Sequence, residues 1–122
     1  MGDPTVVERI RTALESPDPA AFKDLLAPDV RWGPPDDEVS GCHNRDQVVE
    51  WYGQRRQAGV RSRVTEVVAG ADKLLIGMKV SGAEGDGEVE RWQVLTLRDG
   101  LVADIRGFED RGQAAARAGV PA

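Results

Sequence analysis

Apolar positions in the first part of the chain recur at helical spacing. Val6, Ile10, Ala13 and Leu14 share one face of a helix over residues 4–15, with Asp3 as its cap and Pro4 at its first position, where the missing N–H has no partner to lose. Pro17 stops this helix. Asp18-Pro19 repeats the same start chemistry, and Phe22, Leu25 and Leu26 form the stripe of a second short helix that Pro28-Asp29 ends. Val30-Arg31-Trp32 then predicts a short strand. The prolines of Gly33-Pro34-Pro35-Asp36-Asp37 remove two backbone donors, so the chain runs on as a loop to His43. Asn44 with Gln47 three residues later is a capping box, and Val48, Trp51, Tyr52 and Arg55 share one face of a third helix closed by Gly59.

From Arg61 onward the period changes. Residues 61–68, 73–80, 89–97 and 101–108 are β-rich runs divided by turns that carry Gly and Asp. The links Ala69 to Asp72 and Asp99-Gly100 are too short for crossovers, which predicts antiparallel pairing in one sheet of four long strands and a short one. Asp110 to Ala118, with Gly119 behind it, predicts a final short helix. With no repeat or linker, residues 1–122 are read as a single domain. The last hairpin leaves two registers open. A two-residue Asp99-Gly100 turn puts Trp92, Val94 and Thr96 on the face of Ala103, Ile105 and Gly107. A three-residue Arg98-Asp99-Gly100 loop with a bulge gives those three residues Leu95, Gln93 and Arg91 as partners instead.

Charge and cysteine narrow the function classes. The 21 acidic residues outnumber the 16 basic ones for a net charge of -5, so a nucleic-acid partner is not expected. Cys42 is the only cysteine, which excludes an internal disulfide and suits a reducing cytoplasm. The N-terminus shows no targeting pattern, and the longest apolar run, residues 74–78, falls far below the ~20 residues of a membrane span. A membrane partner is not expected either.

The order of elements, the Pro28-Asp29-Val30 turn, the Gly41 to Arg45 entry to the third helix and the closing Arg-Asp-Gly-Leu-Val-Ala-Asp-Ile-Arg-Gly-Phe hairpin resemble the nuclear transport factor 2-like superfamily, nearest its SnoaL-like branch. The resemblance implies an α+β, cone-shaped, cystatin-like fold in which three N-terminal helices pack on a curved, mainly antiparallel sheet. It also implies a pocket at the open end of the cone, and it favours the three-residue hairpin. That hairpin places Trp92, Val94, Val102 and Phe108 outside the cone, an apolar strip suited to a homodimer.

The superfamily includes ketosteroid isomerases, polyketide cyclases and epoxide hydrolases, and their catalytic groups can be sought here. The positions of the isomerase tyrosine, base and sheet acid fall on Ile10, Pro34 and Gln93, none of which does that chemistry. The last-strand acid of the cyclases and epoxide hydrolases falls on Gly107. Tyr52 matches a pocket tyrosine of the isomerases. The ligand-binding set expected from this reading is Trp32, Trp51, Tyr52, Arg91, Gln93 and Ile105, an apolar pocket with a polar tip.

Other candidates carry less. His43 beside Cys42 suggests a nucleophile-base pair or a metal ligand, but adjacent side chains cannot close on one ion and no other His or Cys completes a site. Asp36, Asp37 and Glu38 read as a solvated loop, and Gly82 to Gly87 as a hairpin tip. Neither a metal nor a cofactor is expected. The favoured function is binding of a small hydrophobic molecule. The alternative is a SnoaL-like enzyme that isomerises, cyclises or hydrates a steroid- or polyketide-like substrate.

Overall fold

The structure is a computed structural model that describes residues 4–15, 20–33, 41–82 and 87–121. The expected helix stop at Pro17, the Asp18-Pro19 start, the Asp36 to Glu38 loop and the tip at residues 83–86 lie outside the described residues, as do the side chains of Val6 and Leu14. Three helices precede most of the sheet: α1 (Pro4–Glu15), α2 (Ala20–Lys23) and α3 (Arg45–Gln57). α1 buries Ile10 and Ala13. At the start of α3, Asn44 Oδ1 accepts from the Gln47 N–H at 2.9 Å. The Gln47 side chain reaches back to the His43 N–H at 2.7 Å, one residue before the cap itself.

One five-stranded sheet has the order β1-β5-β4-β3-β2. β1 (Leu26–Gly33) is longer than the three-residue strand expected. Pro28-Asp29 does not end the second helix; it lies inside β1, where the register shifts between Leu26 and Arg31. β1 is an edge strand, so the proline gives up no ladder bond on its open side. It runs parallel to β5 (Leu101–Phe108), while β2 (Arg61–Ala69), β3 (Lys73–Ser81), β4 (Glu88–Arg98) and β5 pair antiparallel in sequence order.

The β4–β5 hairpin follows neither expected register throughout. Its tip is the two-residue turn, with Asp99 at φ 55° and Gly100 at φ 79°, and Arg98 opposite Leu101. The three-residue loop is therefore not formed. Between the pairs Leu97–Val102 and Thr96–Asp104 the register slips and leaves Ala103 as a bulge. Beyond it Ile105 faces Leu95, not Gln93, and Gly107 faces Gln93. The bulge absorbs one residue and so brings Ile105 and Gly107 to the sheet face that carries Leu95 and Gln93.

Two apolar clusters lie on opposite faces of this sheet. The larger holds Ile10, Phe22, Val30, Val48, Leu95, Val102 and Ile105 between the first three helices and the sheet. The smaller joins Leu75, Val94 and Phe108 to Ala114, Ala115 and Ala118 of α4 (Arg111–Ala118). Asp110 caps α4 through the Gln113 N–H, and Gly119 ends it in the left-handed region. The expected exposed strip is corrected by this packing. Val94 and Phe108 are buried under α4, Trp92 is half-buried beside them, and Val102 belongs to the other face.

Candidate functional site

A cavity of about 310 Å³ opens between the helices and the sheet. Its aromatic wall is built from three elements. Trp51 and Tyr52 are successive residues of α3, anchored by Val48, which is completely buried one turn earlier. Trp32 comes from β1 and is clamped by a two-hydrogen-bond bridge to Cys42, at 2.8 and 3.0 Å. Gly41 makes that closure sterically possible, because at its φ of 94° a Cβ would run into the Trp32 carbonyl. Trp32 and Trp51 lie 4.2 Å apart between centroids, and Tyr52 meets Trp51 edge-on at 5.0 Å and Phe22 edge-on at 5.8 Å.

Polar atoms gather at the phenol. Gln93, buried on β4, places Nε2 3.3 Å and Oε1 3.5 Å from the Tyr52 hydroxyl. With Nε2 donating, the phenolic hydrogen is left for another acceptor. The Trp32 indole Nε1 is buried and has no hydrogen-bond partner among the described residues. Burial pushes the Tyr52 pKa up to about 12, with Gln93, then the nearby Trp32 N–H and Arg55 charge pulling against it. The Trp32 N–H influences the phenol without completing hydrogen-bond geometry. At neutral pH Tyr52 is therefore a protonated donor and not a base.

Arginine dominates the charge around the cavity. Arg55 lies over the Trp51 ring, 4.7 Å from its centroid. Arg56 is held below the ordinary arginine value by burial and by neighbouring Arg61, yet stays charged. Arg91 donates to the Glu90 carbonyl at 2.9 Å and stands 3.9 Å from Glu109, a lining carboxylate whose side chain is 84% exposed. Proton abstraction inside the cavity has no poised carboxylate among the described residues, whereas hydrogen-bond donation is well supplied.

Trp32, Trp51, Tyr52, Arg91 and Gln93 are brought together on the cavity wall. Ile105 is not among the lining residues. The slipped register puts it opposite Leu95, where it is fully buried in the core. Cys42 and His43 diverge: Cys42 is buried, its thiol pushed up by burial and by Glu50, and His43 is exposed with Nδ1 3.5 Å from Arg31 Nη2. The sequence reading missed Phe22, Arg55 and Glu109 as lining residues, and Trp92 and Phe108, expected outside the cone, also reach the cavity wall. Only Arg55 had a signal, its place one helical turn after Trp51. Gly107 also lines the cavity, and a Cβ there would meet nothing within 4 Å.

A protein-family model described as a SnoaL-like domain matches residues 7–105. Among solved structures, a candidate polyketide cyclase from Sinorhizobium meliloti is 23% identical with a TM-score of 0.71, over 87% of this chain and 95% of that one. A cystatin-like protein of unknown function from Xanthomonas campestris is 22% identical with a TM-score of 0.71, over 97% and 98%. A candidate ketosteroid isomerase from Kribbella flavida is 21% identical with a TM-score of 0.70, over 85% and 74%. These likenesses establish the α+β, cystatin-like fold and leave the activity to the site. No curated protein matches the sequence.

Proposed function

The chain belongs to the SnoaL-like family of the nuclear transport factor 2-like fold, and from that premise we propose that it binds a small hydrophobic molecule in its cavity, with Trp32 and Tyr52 orienting the ligand's polar end. The observation that carries this reading is the cavity of about 310 Å³ walled by Trp32, Trp51 and Tyr52, at which the buried Trp32 indole N–H has no acceptor among the described residues. A buried donor left unmatched costs about 1 to 3 kcal/mol, which a ligand oxygen recovers. The aromatic wall supplies the apolar contact, and Gln93 fixes the phenol. Turnover of a steroid- or polyketide-like substrate needs a base poised inside the cavity, and the one described lining carboxylate, Glu109, is 84% exposed beside Arg91. The lone, buried cysteine suits a cytoplasmic setting.

Naphthol serves as a probe with an apolar ring and one polar end, titrated calorimetrically against three proteins. Gly107→Leu fills open cavity space without a backbone clash and should weaken binding by about tenfold or more at an unchanged fold. Tyr52→Phe removes only a hydroxyl and should cost about five- to tenfold, one neutral hydrogen bond. Saturable binding that is indifferent to Gly107→Leu would place the ligand elsewhere and overturn the reading.

A further inference from the structure

We propose that the ligand is an aromatic carboxylate of one or two rings, its anionic end held by Trp32, Tyr52 and Arg55. This rests on the binding reading above and specifies the ligand's class. The first argument is charge. The chain as a whole carries a net charge of -5, yet the cavity is lined by Arg55, Arg56 and Arg91 against the single described carboxylate of Glu109. Glu109 stands beside Arg91, and Arg56 lies against Arg61. Arg55 is different: its guanidinium rests on Trp51 and makes no ion pair with any described residue. A guanidinium laid against an indole is already partly desolvated and fixed in direction, so it loses little freedom on meeting an anion.

The second argument is the sense of the hydrogen bonds. Trp32 Nε1 can only donate, Tyr52 has its hydrogen to offer once Gln93 donates to the phenol oxygen, and Arg55 can only donate. A carboxylate is acceptor-only and has two oxygens to share among them. An amide or alcohol brings a donor of its own into a site already crowded with donors. All three line one cavity around Trp51, whose ring lies 4.2 Å from Trp32, 5.0 Å from Tyr52 and 4.7 Å from the Arg55 guanidinium. Size gives the ring count. A cavity of roughly 150 Å³ takes benzene, so about 310 Å³ takes about two fused rings.

The test compares naphthoate with naphthamide, equal in ring and shape and different in charge, by calorimetry at neutral pH. Wild type should bind naphthoate about tenfold tighter than naphthamide. Arg55→Gln should reduce that preference to about twofold, chiefly by weakening naphthoate, and Arg55→Lys should restore part of it. Equal binding of both compounds, or a preference for naphthamide, overturns the carboxylate assignment and leaves the binding reading standing. Failure of both compounds and of naphthol to bind removes both. A preference that survives intact in a folded Arg55→Gln protein overturns the role of Arg55, and tighter binding of a four-ring steroid acid overturns the ring count. The wild-type comparison needs no variant, so it decides the charge question even if Arg55→Gln does not fold.

Discussion

Tyr52 is the only tyrosine in the chain, so its ionisation can be followed by itself. Burial among Phe22, Trp51 and Gln93 raises its pKa from the ordinary value of 10.0 to about 12. A near-ultraviolet absorbance titration of the native protein should therefore show phenolate with a midpoint at about 12. The folded value lies above the unfolded one, so the stability linked to the protonated phenol is complete below pH 10 and is lost as pH rises through about 12. Tyr52→Phe should lose less stability than wild type across that window. A native midpoint at the ordinary value would mean that the phenol faces water. The inward face of Val48, Trp51 and Tyr52 was legible from helical spacing alone. Their partners were not, because Gln93 stands 41 residues away on another element and the Trp32 N–H gains meaning only from what surrounds it.

At the scale of elements, the helices and strands could be read from period and turn chemistry, but two bulges could not. Ala103 flips the facing of β5, and a second slip between Val64 and Glu66 does the same for β2. Neither segment carries a distinctive residue, since a bulge is settled by what both faces must bury. The β2 slip sends Val67 to the helix side and Glu66 to the other face, where Gly77 leaves it room. There Glu66 receives two hydrogen bonds from Arg111 of α4, at 2.7 and 3.1 Å. Both side chains keep about a third of their exposure, so solvent screens the pair and its contribution is modest. Arg111→Ala should accordingly lower Tm by a few degrees near neutral pH. The Arg111 hydrogen bonds hold Glu66 below its ordinary value of 4.5, so their stabilisation is present above that pH and fades as pH falls through the folded value. Melting curves of the two proteins should converge in acid. A Tm gap that persists undiminished there would show that Arg111 acts through packing.

For the whole molecule, the deciding feature is which surface α4 covers. The family match ends at residue 105, and α4 lies beyond it, packed over Leu75, Val94 and Phe108. The sequence showed that residues 110–118 could be helical, but not that they fold back, because three small alanines give little sign of how large an apolar area they cap. Under them Leu75 and Val94 are almost completely excluded from water and Phe108 is nearly so. A homodimer of the full chain must therefore use another surface or displace α4. Removing residues 110–122 should bare Leu75, Val94 and Phe108 together, a contiguous apolar patch of the kind that drives association. Light scattering of the shortened chain should then show a mass about twice its own or more, rising with concentration, while naphthol titration reports whether the cavity stays intact. If the shortened chain stays monomeric and keeps its cavity, α4 covers a face with no tendency to associate, and a dimer of the full chain would have to be sought at the sheet edge or the helices.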